Sequence, residues 1–142
     1  MASQRRSALR LRQQDKRNPG MDDLHRKEAG ASGENAALKY LQQHGLILIE
    51  RNYRCRSGEI DLIMLDGKTL ALIEVRYRGS GNFGGAAASV TWQKQKRIIT
   101  ASRHLIMSRA DLRRYPARFD VVAVSPGTDT KRIEWIRAAF TL

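Results

Sequence analysis

The chain has 142 residues, 42% of them hydrophobic, one cysteine and a formal net charge of +12 at pH 7. That length allows one domain with a packed core plus a tail. A lone cysteine rules out an intramolecular disulfide and fits a reduced, cytoplasmic setting, no apolar run is long enough to span a membrane, and +12 points to a polyanionic partner, nucleic acid before an anionic membrane surface.

Residues 1–30 read as a disordered basic arm, with Asn18-Pro19-Gly20 as a breaker. The arm is Arg-rich but lacks the apolar core of a secretion signal. It carries eight basic against four acidic residues, and residues 31–142 carry eighteen against ten. The globular part is therefore basic on its own account.

A helix is expected from Gly33 to His44, with Ser32 as N-cap and Gly45 just past its end. Its apolar stripe holds Ala37, Leu38 and Leu41. Glu34 falls on that stripe, four residues before Leu38, where it either favours the helix dipole or serves a site. Leu46 to Tyr53 reads as the first strand. Cys55 follows between Arg54 and Arg56, with no histidine close by in sequence, and reads as structural. His25, His44 and His104 show no zinc-ligand spacing.

Gly58–Leu65 and Thr69–Tyr77 are two apolar, β-rich runs around Asp66-Gly67, a strong hairpin signal. A two-residue loop at Asp66-Gly67 makes paired residue numbers sum to 133, and a loop over Asp66 to Thr69 makes them sum to 135. Either register puts Asp61, Glu74 and Arg76 on one sheet face. Opposed or diagonal side chains lie roughly 4.5–8 Å apart, so the two carboxylates repel unless a cation sits between them. Both strands are apolar on both faces, as central strands covered by helices are. Asp61 and Glu74 should then be partly buried, which is costly unless they are paired, protonated or metal-bound.

Gly79 to Ala88 is a Gly/Ala/Ser-rich loop without the Gly-Lys-Ser/Thr ending of a nucleotide-cradling loop, and it reads as a flap beside the site. A second helix is expected over Thr91–Met107, burying Ile98, Ile99, Ser102, Leu105 and Ile106. Lys94 and Gln95 extend that stripe into the first turn, within reach of the carboxylates. Lys96, Arg97, Arg103, Arg109, Arg113, Arg114 and Arg118 form a phosphate-contacting ridge, with Asp111 the one acid among them. Phe119–Val124 and Arg132–Ile136 read as final strands joined through Pro126-Gly127.

Asp61 and Glu74, with Glu34 and Glu59 as possible helpers, suit a hard cation bound through oxygen. Mg²⁺ commonly takes one or two carboxylates and completes its shell with water and substrate phosphate. Such an ion can orient water, polarise a phosphate and stabilise a leaving oxyanion.

At Gly58-Glu59-Ile60-Asp61-Leu62-Ile63 followed by Glu74-Val75-Arg76 the chain resembles the metal-binding signature of the PD-(D/E)XK nuclease superfamily. More closely, Gly33-Glu34, the Arg54–Met64 segment, Asp66-Gly67, Glu74-Val75-Arg76-Tyr77-Arg78, Phe83-Gly84-Gly85-Ala86-Ala87, Val90-Thr91, Lys94-Gln95 and Arg118-Phe119-Asp120-Val121 resemble the bacterial YraN family. That family is similar to archaeal Holliday-junction resolvases. The resemblance covers about residues 31–140. It implies an α/β, restriction-endonuclease-like fold, a mixed central sheet of about five strands flanked by helices. It implies Asp61 and Glu74 as ligands of Mg²⁺ or Mn²⁺, Glu34 as the helix acid that positions water, and Gln95 or Lys94 as the polar residue of the following helix. Arg76 stands where the superfamily has lysine. Arginine does not deprotonate but can neutralise developing phosphate charge, and Lys94 or Lys96 offers an amine from the helix.

The expected function is a metal-dependent endonuclease on branched or processed DNA, with Arg54, Arg56, Arg78, Lys94, Lys96, Arg97 and Arg103 as phosphate contacts. A homodimer is expected by analogy with the resolvases. The alternative is a nucleic-acid-binding module of the same fold with little or no cleavage. A basic adaptor for acidic proteins or lipids has only charge in its favour.

Overall fold

The computed structural model describes residues 31–78, 85, 87–127 and 132–141. The basic arm and most of the Gly79–Ala88 loop lie outside these residues.

Helix α1 covers residues 31–43 of the described chain and ends at Gly45. Ser32 lies inside it rather than capping it, a correction to the sequence expectation. Five strands follow: β1 (Ile47–Cys55), β2 (Gly58–Asp66), β3 (Thr69–Tyr77), β4 (Ala117–Ser125) and β5 (Arg132–Phe140). Helix α2 (Trp92–Ser108) connects β3 to β4. Single 3-10 turns at Ala87–Ser89 and Ala110–Leu112 flank it.

The strands form one mixed sheet in the order β1-β2-β3-β4-β5. β3 and β4 run parallel and the other pairs antiparallel. A parallel pair needs a long crossover, and α2 supplies it. The two helices lie on opposite sheet faces. Ala37 and Leu41 of α1 pack with Leu62, Met64, Ala71, Ile73, Val122 and Val124. Ile98, Ala101 and Leu105 of α2 pack with Ile60, Ile63, Leu70, Leu72, Phe119 and Val121. This is the helix-flanked, five-stranded mixed sheet of a restriction-endonuclease-like fold. β2 and β3 are apolar on both faces because both faces are covered. Among the described residues no helix is long and apolar enough to cross a membrane.

The β2–β3 register pairs Asp66 with Thr69 and Leu62 with Ile73, so paired numbers sum to 135. The loop itself is Gly67-Lys68, with Gly67 at φ +62°, a backbone angle that favours glycine at the first loop position. The alternative sum of 133 is excluded.

Gly58 begins β2 for a different reason. A Cβ there would lie 2.9 Å from the backbone oxygen of Arg97 and 3.0 Å from its Cβ. Glycine lets α2 lie directly on the start of β2. Gly58→Ala should therefore cost about 1–3 kcal/mol, because the obstruction is helix backbone rather than a flexible side-chain tip. Urea unfolding measures this, and a loss under about 0.5 kcal/mol would mean α2 gives way freely.

Candidate active site

The β2–β3 ladder runs from Asp66↔Thr69 to Leu62↔Ile73. At the next step a side chain does the work of the backbone: the Val75 N–H donates to Asp61 Oδ2 at 2.8 Å. The pleat of β2 is disturbed at the same place. Leu62 and Met64 face α1, yet Ile60 packs with the α2 core. Across from this break on β1, Asn52 has φ +52°. Strict alternation would not send Ile60 and Leu62 to opposite faces. Asp61 sits at the point where the strands change course.

Glu74 follows on β3 and is 2% exposed, facing α2. Its Oε1 receives Lys94 Nζ at 2.8 Å, while Arg76 Nη1 stands at 4.0 Å. Its Oε2 is buried without a hydrogen-bond partner. A buried carboxylate oxygen left in that condition costs free energy. Beside it, Asp61 has its pKa raised from 3.8 to about 8. Burial is the largest cause, then the charge of Glu74, with a hydrogen bond to Glu74 and the charge of Glu59 adding to it. The Val75 N–H pulls the other way. Two carboxylates in a partly dry site that share a proton would accept a cation in its place.

The donor set fits a hard divalent ion held by two carboxylates, with Glu74 Oε2 free to ligate. Among the described residues no group of three or more His, Cys, Asp or Glu could hold a metal. Water and a phosphate would thus have to fill the remaining positions, as Mg²⁺ tolerates.

The structure brings Asp61, Glu74, Arg76 and Lys94 together and leaves two other candidates elsewhere. Glu34 Oε1 accepts from Arg51 Nη2 at 3.0 Å and Arg51 Nε at 3.1 Å. Asn52 Nδ2 also donates to it, at 3.1 Å. Glu34 is thus tied to the β1 kink rather than completing a cluster of three acids. The Gln95 amide donates to the Val90 carbonyl at 3.1 Å, across the helix N-terminus. Lys94 is the α2 residue that reaches the carboxylates.

Beside Lys94 lies a cleft of about 340 Å³ lined by Arg54, Cys55, Gly58, Glu59, Lys94, Arg97 and Ile98. Asp61 and Glu74 do not line it, so Lys94 joins the cleft to the carboxylates. Arg54 is paired with Glu59 at 3.3 Å, and both are well exposed. Arg56 and Arg97 are exposed and Arg78 is half-buried.

The expected basic ridge is shorter than its sequence. Lys96, Arg97 and Arg103 are exposed. Arg109 is paired with Asp111 at 2.7 Å. Arg113 donates to the Ile106 and Met107 carbonyls at 3.1 and 2.6 Å, closing the C-terminal end of α2. Arg114 donates to the Tyr115 hydroxyl at 2.7 Å. Arg118 is only 19% exposed and binds Asp120 and Asp66 at 2.8 and 2.9 Å. Arg118 is thus built into the fold, a correction to the ridge as read from sequence, while Arg109, Arg113 and Arg114 have local partners and Arg113 and Arg114 stay exposed.

A model of the uncharacterised protein family UPF0102 matches residues 33–124. A UPF0102 protein of Saccharophagus degradans is 49% identical over 115 residues, covering 81% of this chain and 94% of that one. Another, from Cupriavidus metallidurans, is 53% identical over 114 residues, 80% of this chain and 81% of that one. A third, from Pseudomonas savastanoi, is 44% identical over 117 residues, 81% and 94% of the two chains. The matched span runs from α1 through most of β4 and includes Asp61, Glu74 and Lys94. The chain belongs to the uncharacterised protein family UPF0102, the YraN family that its motifs resemble.

Proposed function

We propose that the protein is a metal-dependent endonuclease acting on branched or processed DNA. The observation that carries this reading is the Asp61–Glu74 pair, with a raised Asp61 pKa and an unpartnered buried Glu74 oxygen. A Mg²⁺ or Mn²⁺ ion held there would polarise a phosphate and make its water a better nucleophile. Asp61 and Glu74 would hold that ion. Lys94 and Arg76, at 2.8 and 4.0 Å from Glu74, would offer two cations to the negative charge that develops on such a phosphate. Arg54 and Arg97 in the adjoining cleft would take neighbouring phosphates.

A second reading, a nucleic-acid-binding module that does not cleave, has two observations in its favour. Lys94 already neutralises Glu74, and position 76 is arginine rather than the superfamily lysine.

The test is cleavage of labelled duplex, single-stranded, flapped and four-way-junction DNA with Mg²⁺ or Mn²⁺. Metal-dependent cutting is expected, falling at least about a hundredfold in Asp61→Ala/Glu74→Ala with DNA affinity kept. Affinity should drop steeply with salt, with a log–log slope of about −0.9 per phosphate contact on duplex. Tight binding with no cutting on any substrate would favour the second reading. Cutting that survives the double substitution would place the chemistry elsewhere.

A further inference from the structure

Trp92 is the first residue of α2, and its side chain is 65% exposed. The contrast with the chain's other tryptophan is informative. Trp135 is half-buried, and its indole N–H donates to Asp120 Oδ2 at 3.1 Å. Trp92 leaves a large apolar ring in solvent on a firmly built helix end. Thr91 caps that end, its hydroxyl accepting from the Lys94 N–H at 3.2 Å. The Gln95 side chain fastens it again to Val90.

The surroundings of the ring are cationic. Lys96 Nζ lies 3.5 Å from the ring centroid. A groove of about 380 Å³ continues from Trp92 and Lys96 past Gln95, Ile99 and Thr100 to Arg103 and Thr141. Lysine is depleted at the cores of protein–protein interfaces, so a ring with Lys96 against it fits such a core poorly. An aromatic face with a lysine against it, at the head of a groove that runs to Arg103, is the composition of a stacking platform for nucleobases.

Residues two apart on a helix diverge by about 200° around its axis. Lys94 therefore points to Glu74 on one flank of α2 while Trp92 and Lys96 occupy the other. A strand crossing the end of α2 meets cations on the first flank and an aromatic ring on the second. Bases inside a duplex are already stacked and cannot reach that ring, whereas an unpaired base can.

We propose that Trp92 is a stacking subsite for an unpaired nucleobase next to the carboxylate site. The substrate of choice then has a single-stranded segment within a nucleotide or two of the phosphate held at Lys94. This rests on the nuclease reading, and it narrows the DNA class to substrates with unpaired nucleotides. Lys96 covers one face of the ring, the base takes the other, and the Lys96 ammonium remains available to a flanking phosphate.

The experiment uses the full chain, an oligo-dT single strand and a blunt duplex of equal length, at fixed salt. Wild type should show quenching of indole fluorescence by oligo-dT. Trp92→Ala should lose most of that quenching and about tenfold in oligo-dT affinity, with duplex affinity within about twofold. Trp92→Phe should keep part of the affinity, which separates stacking from damage to the helix end. Unchanged oligo-dT affinity in Trp92→Ala, or an equal loss on both DNAs, overturns the subsite and leaves the nuclease reading standing. Wild type that binds neither DNA overturns both. A wild-type dimer that becomes monomeric in Trp92→Ala, by sedimentation, assigns the ring to a protein contact and also overturns the subsite.

Discussion

Replacing Asp120 with alanine should remove about 3–5 kcal/mol of stability, the largest loss expected from any single side chain here. Asp120 is fully buried on β4. Arg118 Nε donates to its Oδ1 at 2.8 Å, and Arg118 Nη2 to its Oδ2 at 2.9 Å. The Trp135 indole reaches Oδ2 at 3.1 Å, and the Ala138 N–H reaches Oδ1 at 3.0 Å. Alanine would strand all of these donors except the part of Arg118 that still meets Asp66. Arg118 is the costly one, since it loses its fully buried partner and keeps only Asp66. Domains of this size are stable by about 5–15 kcal/mol, so the variant should lose a large share of its stability and unfold at a clearly lower urea concentration. Asp120→Asn, which keeps an acceptor of the same shape, should lose roughly half as much. Urea unfolding followed by indole fluorescence measures both. If Asp120→Ala loses less than about 1 kcal/mol, the network is not holding β4 to β5.

The consequence reaches the candidate site through the sheet. Asp120 pairs with Ile73 in the parallel β3–β4 register, and Val121 pairs with Glu74. Ala138, at φ +48°, marks a slip in the β4–β5 register between Phe119 and Val121. The Asp120 carboxylate accepts the backbone N–H that this slip turns inward. Loss of the network should therefore loosen β4 directly beside Glu74.

These contacts mark the boundary of what the chain discloses before it folds. The β3 limits, Thr69–Tyr77, are legible because a run apolar on both faces stops at glycine-bearing segments on either side. The hairpin narrows to two registers, and either one aligns Asp61 with Glu74. Choosing between 133 and 135 takes the observed Gly67-Lys68 loop. Lys94 is visible as a first-turn residue of α2, but its advantage over Arg76 is tertiary. It depends on Gly58 letting the helix lie against β2. Glu34 falls away from the carboxylates because β1 kinks at Asn52 and offers it Arg51 and Asn52 instead, a backbone event with no pattern in the sequence. Arg118 reads as one more cation in a basic run. Its partner Asp66 is 52 residues away, so composition alone cannot separate it from Arg103.

Asp61→Asn should make the protein more stable at pH 8, the opposite of the usual result for a buried side chain. The Asp61 pKa rises from 3.8 to about 8 on folding. Between those values the native state holds a proton that the unfolded chain releases. The group's contribution is thus intact below about pH 4 and is lost as pH climbs toward 8, at up to about 1.4 kcal/mol per pH unit. Burial and the charges of Glu74 and Glu59 drive this, against the hydrogen bond from the Val75 N–H. Asparagine carries no such cost. Its carbonyl can accept the Val75 N–H, and its amide can donate to Glu74. Relative to Asp61→Asn, wild type should lose on the order of 2–4 kcal/mol between pH 5 and pH 8 without divalent ions. Thermal unfolding across that range gives the comparison, and parallel profiles for the two proteins would contradict the raised pKa. Adding Mg²⁺ at pH 8 should then stabilise wild type alone, by about 2.7 kcal/mol at a hundredfold excess over its Kd. Asp61→Asn has exchanged the charge that would hold the ion for the stability that the ion would restore. Stabilisation of wild type alone would mark the pair as a cation site, and equal responses of the two proteins would mark it as two acids held without one.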